Sequence, residues 1–153
     1  HWRTYLDIDE SATTSDTVIP VAFGRTMRIA AGNISCDGRT AFFHFEDLCG
    51  KDLGAADFRA VADNFDAVIL ASIPIMSARE HDKARRFITL IDQLYESKVR
   101  LCCVDAAAPP KDLFVGGLEP RAKELASIRE LRFAFRRCAS RLVEMTAGYP
   151  SHT

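Results

Sequence analysis

The residues of this chain whose type and spacing suit them to chemistry are arginines: the pair Arg85-Arg86, and Arg136-Arg137 with Arg141. A guanidinium presents a planar fork of donors that fits phosphate or carboxylate oxygens two at a time, and it stabilises the charge that develops in phosphoryl transfer. Both groups border apolar helical stretches, where the ordinary role of an arginine is a solvated polar face or a weak ion pair. Other chemistries find less support. A Walker A loop requires Gly, four residues and then Gly-Lys-Ser/Thr, because backbone amides and the Lys cradle phosphates while the hydroxyl holds magnesium. The one Gly-Lys is Gly50-Lys51, but Asp52 follows it and Phe45 stands where the first glycine belongs, so the pattern fails. Asp105 closes the apolar run Leu101-Cys102-Cys103-Val104 as a magnesium-binding acid at a strand end would, yet a single acid there more commonly caps or solvates the next turn. Cys49 sits in a glycine-flanked stretch that reads as an accessible loop, with no base fixed beside it to generate a thiolate, so packing is its expected role. His44 has no second ligand at metal-binding spacing. No metal site and no catalytic residue are assigned.

Positioning the arginines requires helices with one buried face. Ala84, Phe87, Ile88, Ile91, Leu94 and Tyr95 recur at the three-and-four spacing of an amphipathic helix that runs to Glu96, with Leu90 at the margin of that face. Ser77 with Glu80 has the form of a capping box and marks its start, and Asp82 stands four residues before Arg86 in the favourable acid-then-base order. The apolar runs Ala67 to Ile73 and Val99 to Val104 on either side predict buried, parallel strands, which makes strand, helix and strand a crossover unit. Upstream, Thr17 to Ile29 predicts a β-hairpin turning at Gly24, and Thr40 to Phe45 a third strand after the turn dipeptides Gly32-Asn33 and Asp37-Gly38. Glu46 to Gly54 reads as a loop, followed by a short helix from Ala55 that ends near Asn64. After a loop marked by Gly116-Gly117 and Pro120, the last unit runs from Arg121 to Gly148. There Phe135, Cys138, Leu142 and Met145 form the apolar stripe, with Arg136, Arg137 and Arg141 outside it. Residues 1–16 read as an extended connector, 17–149 as a single α/β domain and 150–153 as a tail.

Composition narrows the class. The chain has 153 residues, is 48% hydrophobic and has a mean hydropathy of −0.04, as a globular domain does. Twenty basic against twenty-one acidic residues leave a net charge of −1, which gives no overall pull toward nucleic acid or an anionic membrane. No transmembrane segment and no targeting segment is legible. Five cysteines without a CxxC pair favour a reducing compartment.

Four blocks together carry a family resemblance: Ile19-Pro20-Val21-Ala22-Phe23-Gly24-Arg25; Phe45-Glu46-Asp47-Leu48-Cys49 with Leu53-Gly54-Ala55-Ala56-Asp57-Phe58; Ala84 through Tyr95; and Phe135 through Met145. In order and spacing they resemble the C-terminal part of the ATPase-family-gene-one-like (ZapE-like) mitochondrial P-loop ATPases. The resemblance implies a portion of an AAA-type P-loop NTPase fold and a mitochondrial location, in the matrix or associated with the inner membrane. It also implies protein partners, with a mitochondrial membrane complex or a homo-oligomer as the candidates. The family's Phe-x-Arg-Thr-x-Ser-Arg-Leu block appears with Cys138 in place of Thr and with Arg137 and Arg141 retained. On that match Arg137 and Arg141, with Arg86 third, are the nucleotide-sensing candidates. Relatives often carry an acid where this chain has Ala71-Ser72, and the Walker motifs that precede this region in the family are not in these residues. Two functional expectations follow. One is the C-terminal portion or a diverged subunit of such an ATPase, unable to hydrolyse ATP by itself, with ATP and magnesium required only where a P-loop core is supplied upstream or by a partner. The other is a catalytically inactive relative serving as a structural subunit of a large mitochondrial complex.

Overall fold

The computed structural model describes residues 17–29, 34, 38–115 and 122–146. The expected connector at 1–16, the turn at Gly32-Asn33, the loop at Gly116-Gly117 and the tail at 150–153 lie outside the described residues. The architecture is mixed α/β around a parallel sheet. Strand β1 (Thr17–Pro20) pairs antiparallel with β2 (Thr26–Ile29). Then follow β3 (Thr40–His44), helices α1 (Phe45–Cys49) and α2 (Ala55–Asn64), β4 (Ala67–Ala71), β5 (Met76–Ser77) and helix α3 (His81–Glu96). Strands β6 (Arg100–Val104) and β7 (Phe114–Val115) precede the long helix α4 (Ala122–Thr146).

Strands β3, β4 and β6 form the parallel sheet with β4 in the middle. All five residues of β4 are buried. A central strand of a parallel sheet reads as a continuous apolar run, and Ala-Val-Ile-Leu-Ala does so. In register, Ala41, Val68 and Leu101 lie side by side, as do Phe43, Leu70 and Cys103. Five of these six are buried in the same core as the inner faces of the helices, and Cys103 packs against it. Helix α3 crosses from β4 to β6 and buries Ala84, Phe87, Ile88, Ile91 and Leu94, and also Leu90, which is covered rather than marginal because α2 and α4 pack beside the helix.

The capping box stands where the spacing put it. Glu80 accepts the Ser77 N–H at 2.8 Å and the Ser77 hydroxyl, and the Ser77 hydroxyl oxygen accepts the Arg79 N–H at 3.2 Å. The box caps a 3₁₀ turn, Ala78–Glu80, and the α-helix proper begins at His81. The expected Asp82–Arg86 pair does not form, because Asp82 meets His81 at 3.2 Å while Arg86 turns toward Asp52 at 3.8 Å.

Other expectations are corrected. Residues 45–49 are helical, so Phe45 is not the end of the third strand and Glu46 to Cys49 are not part of a loop: the His44 N–H donates to Asp47 at 2.9 Å, and Phe45, Leu48 and Cys49 are buried at helical spacing. Cys49 is accordingly inside the protein rather than in an accessible loop, and its packing role is the one expected. Tyr95 lies at the margin of the apolar face, half-buried, with its hydroxyl toward solvent-side partners. The two-residue strands β5 and β7, which pair in parallel, were too short to leave a periodic signal. In the turn between β1 and β2, Phe23 takes φ 64° and is 98% exposed, while Gly24 follows at φ 75° where the absent Cβ removes the steric cost. Arg25 fixes this turn to α2 through Asp57 at 3.0 Å, and the buried Asp57 also accepts the Gly54 N–H at 2.9 Å, capping α2.

Candidate functional site

Helices α3 and α4 bring two of the three sequence-predicted arginines together. Arg137, Arg141 and Glu144 recur at four- and three-residue spacing along one side of α4, and Asp92 and Tyr95 do so along α3. Arg141 donates through Nη1 to Asp92 Oδ1, and Arg137 Nη2 approaches Asp92 Oδ2 at 3.8 Å. The Arg141 guanidinium also lies over the Tyr95 ring, 4.8 Å from its centroid. The Tyr95 hydroxyl donates to Glu144 Oε2 at 3.0 Å, and this bond to a carboxylate holds the phenol above its ordinary range. One carboxylate thus faces two cations, one of which is also stacked on an aromatic ring.

The two arginines are held differently. The Arg141 side chain is 25% exposed and fixed from two sides, whereas that of Arg137 is 60% exposed and touches Asp92 only loosely. Arg137 can therefore turn to an incoming anion while Arg141 keeps Asp92 and the helix pair in place. Arg86 is not part of this group. It donates from Nη1 to the Cys49 carbonyl at 3.3 Å and approaches Asp52, tying α3 to the end of α1. Arg136 points away and lies 5.8 Å from the Phe133 ring centroid. Asp92 and Glu144 had no role expected from the sequence, and Tyr95 only a place on the apolar face. The available signal was that Asp92 is the one charged residue between Phe87 and Tyr95.

Cys138, the residue in the threonine position of the family block, is fully buried beneath this group. Burial first, then the Asp92 charge, pushes its thiol up, and burial does the same to Cys49, so neither is a nucleophile. The described residues do not fit ATP with magnesium as a complete site. Gly50 caps α1, its N–H donates to the Glu46 carbonyl at 3.2 Å, and a Cβ there would strike Glu46, so the glycine serves helix packing rather than phosphate. No cluster of three potential metal ligands occurs among the described residues.

The profile of the family described as AFG1-like ATPase matches residues 2–151. The chain belongs to the AFG1-like ATPase family. Lactation elevated protein 1 homolog B of Danio rerio is 35% identical over 127 residues, covering 71% of this chain and 25% of that protein. Cell division protein ZapE of Escherichia coli K12 is 33% identical over 109 residues, covering 71% of this chain and 26% of that protein. An uncharacterized protein of Schizosaccharomyces pombe is 34% identical over 141 residues, covering 80% of this chain and 30% of that protein. The AFG1-like chain described here thus spans between a quarter and a third of the length of these curated relatives. No solved structure matches it at a significant level. No helix among its described residues is long and apolar enough to cross a membrane.

Proposed function

We propose that these residues are the C-terminal portion of an AFG1-like P-loop ATPase with an AAA-type fold, and that their contribution to ATP hydrolysis is a sensing arginine rather than a phosphate cradle. The observation that carries this reading is the asymmetric sharing of Asp92: Arg141 is locked on it and Arg137 is loosely held and exposed. A guanidinium poised beside a weak partner exchanges that partner for a phosphate oxygen at little cost, and arginines used in this way act by stabilising charge at the transferring phosphoryl group. Arg86, bonded to a backbone carbonyl on another face, positions α1 instead. Without a P-loop supplied by the rest of the polypeptide or by a neighbouring subunit, this portion does not turn over ATP. The mitochondrial location, in the matrix or at the inner membrane, rests on the resemblance of the four sequence blocks, and organelle fractionation tests it.

In the native ATPase, Arg137→Ala is expected to lower turnover by at least about tenfold, as loss of a charge-stabilising donor does, with the fold intact by circular dichroism. Unchanged turnover would remove Arg137 from the reading. Intact mass of the native protein tests the larger claim. A mass near the 17.0 kDa of these residues alone would sink it and favour a structural subunit without nucleotide chemistry.

A further inference from the structure

A second feature of α4 lies outside the Asp92 group. Between α4 and the segment that carries β7 runs a groove of about 540 Å³, floored by Phe114 and Phe135, with Val143 at one end and Lys111, Arg132 and Arg136 along it. All three cations are exposed, and none has an acidic partner among the described residues. Unneutralised cations beside the exposed Val143 and the half-buried Phe114 leave charge and hydrophobic surface unsatisfied in an open groove, while Phe135 beneath them belongs to the buried core. The groove is also long. Arg132, Arg136, Ser140 and Val143 follow one another along α4 at four- and three-residue steps, a run of about 16 Å at the α-helical rise. That is about five residues of extended peptide at the strand repeat.

We propose that this groove binds an acidic peptide segment of a partner protein, in which carboxylates alternate with aliphatic or aromatic side chains. Extended backbone sends alternate side chains to opposite sides. One set then meets Phe114 and Val143 while the other set or the flanking residues reach Lys111, Arg132 and Arg136. Two features favour a peptide over a compact small molecule: the length of the run, and the spacing of Arg132 and Arg136, one helical turn or about 6 Å apart, which is close to the repeat of alternate residues in an extended chain. The proposal does not depend on the nucleotide-sensing role of Arg137, whose group lies on the side of α4 that faces α3.

The test is fluorescence anisotropy with the full chain and a fluorescein-labelled eight-residue peptide of alternating Glu and Leu. Saturable binding is expected, weakened by about tenfold or more in the Arg132→Glu/Arg136→Glu double variant and by about fivefold in Val143→Asp. Both alterations are at exposed positions, and thermal melts confirm the fold. Octaglutamate, which has the charge without the apolar side chains, is expected to bind at least about tenfold more weakly. Equal binding of octaglutamate, or no effect of Val143→Asp, would reduce the groove to a nonspecific basic patch and overturn the proposal. Tighter binding of an eight-nucleotide oligothymidine than of the Glu-Leu peptide would overturn it in favour of nucleic acid. A dimer in sedimentation that the double variant dissociates would assign the groove to a second copy of the chain, and would overturn it as well.

Discussion

At the scale of single residues, the side chains that define the site act through their partners rather than their type. Tyr95 illustrates this. Its hydroxyl donates to Glu144, first by the hydrogen bond and then by the carboxylate charge, so removing the phenolic proton is disfavoured and the pKa is raised. A group raised in the folded state contributes stability that is present below its unfolded pKa and is lost as pH rises through its folded one, so the bond serves at neutral pH and fails only in strong alkali. Glu144→Gln is expected to bring the phenol of Tyr95 down toward its ordinary value, read as an earlier rise of tyrosinate absorbance in a spectrophotometric titration. An unaltered curve would show that the hydrogen bond is not formed in solution. The arginines stood out in the sequence through their place in the family block, and the structure brings Arg137 and Arg141 together on Asp92 while Arg86 lies apart. Asp92 did not stand out, since one carboxylate on an amphipathic helix looks like any solvated residue until a second helix delivers two cations to it. The packing role expected of Cys49 holds, but not its setting: glycines at 50 and 54 suggested a loop, whereas Gly50 ends a helix that buries the thiol.

At the scale of elements, periodicity served where an element was long and failed where it was short. The apolar stripes of α3 and of the second half of α4, the unbroken apolar run of β4 and the run Leu101 to Val104 of β6 carry enough repeats to fix the type of each element. The five residues of α1 and the two-residue strands β5 and β7 exist because neighbouring elements hold them, and such tertiary support leaves no pattern in the local sequence. The contact between α3 and α4 joins both kinds of information. Its apolar part was foreseeable, but its polar part, Asp92 with Arg137 and Arg141, arises only when the helices pack. Asp92 is about a quarter exposed, which reduces but does not abolish the value of the pair. Asp92→Asn keeps the shape and removes the charge, and is expected to cost about 1–2 kcal/mol in urea unfolding. On the sensing role proposed for Arg137, the same change is also expected to free that arginine and alter ATP turnover. A variant of wild-type stability would mean that the two arginines are solvated rather than shared.

At the scale of the whole molecule, a chain of aromatic rings joins elements that are far apart in sequence. Phe45 of α1 lies 5.8 Å from Phe87 of α3, Phe87 lies 6.0 Å from Phe135 of α4, and Phe135 lies 5.3 Å from Phe114 of β7. Phe87 is fully buried and is the link between the α1 side and the α4 side. Ring pairs at these separations add to the burial of their surface, so the loss at Phe87 combines a cavity with two broken ring contacts. Phe87→Ala is therefore expected to cost about 3–5 kcal/mol, a large part of the stability of a domain this size. The ring chain runs on to Phe135 and Phe114, which floor the basic groove, while Phe135 lies three residues from Cys138 beneath the Asp92 group. Loosening at Phe87 should consequently be felt at both places. The measurement is hydrogen exchange on Phe87→Leu, a milder change that keeps the chain folded. Faster exchange is expected in α1 and across residues 131–142 together, since the rings tie them into one packed unit. Faster exchange in α3 alone would show that the rings touch without coupling their helices, and that the groove and the Asp92 group are held by separate parts of the core.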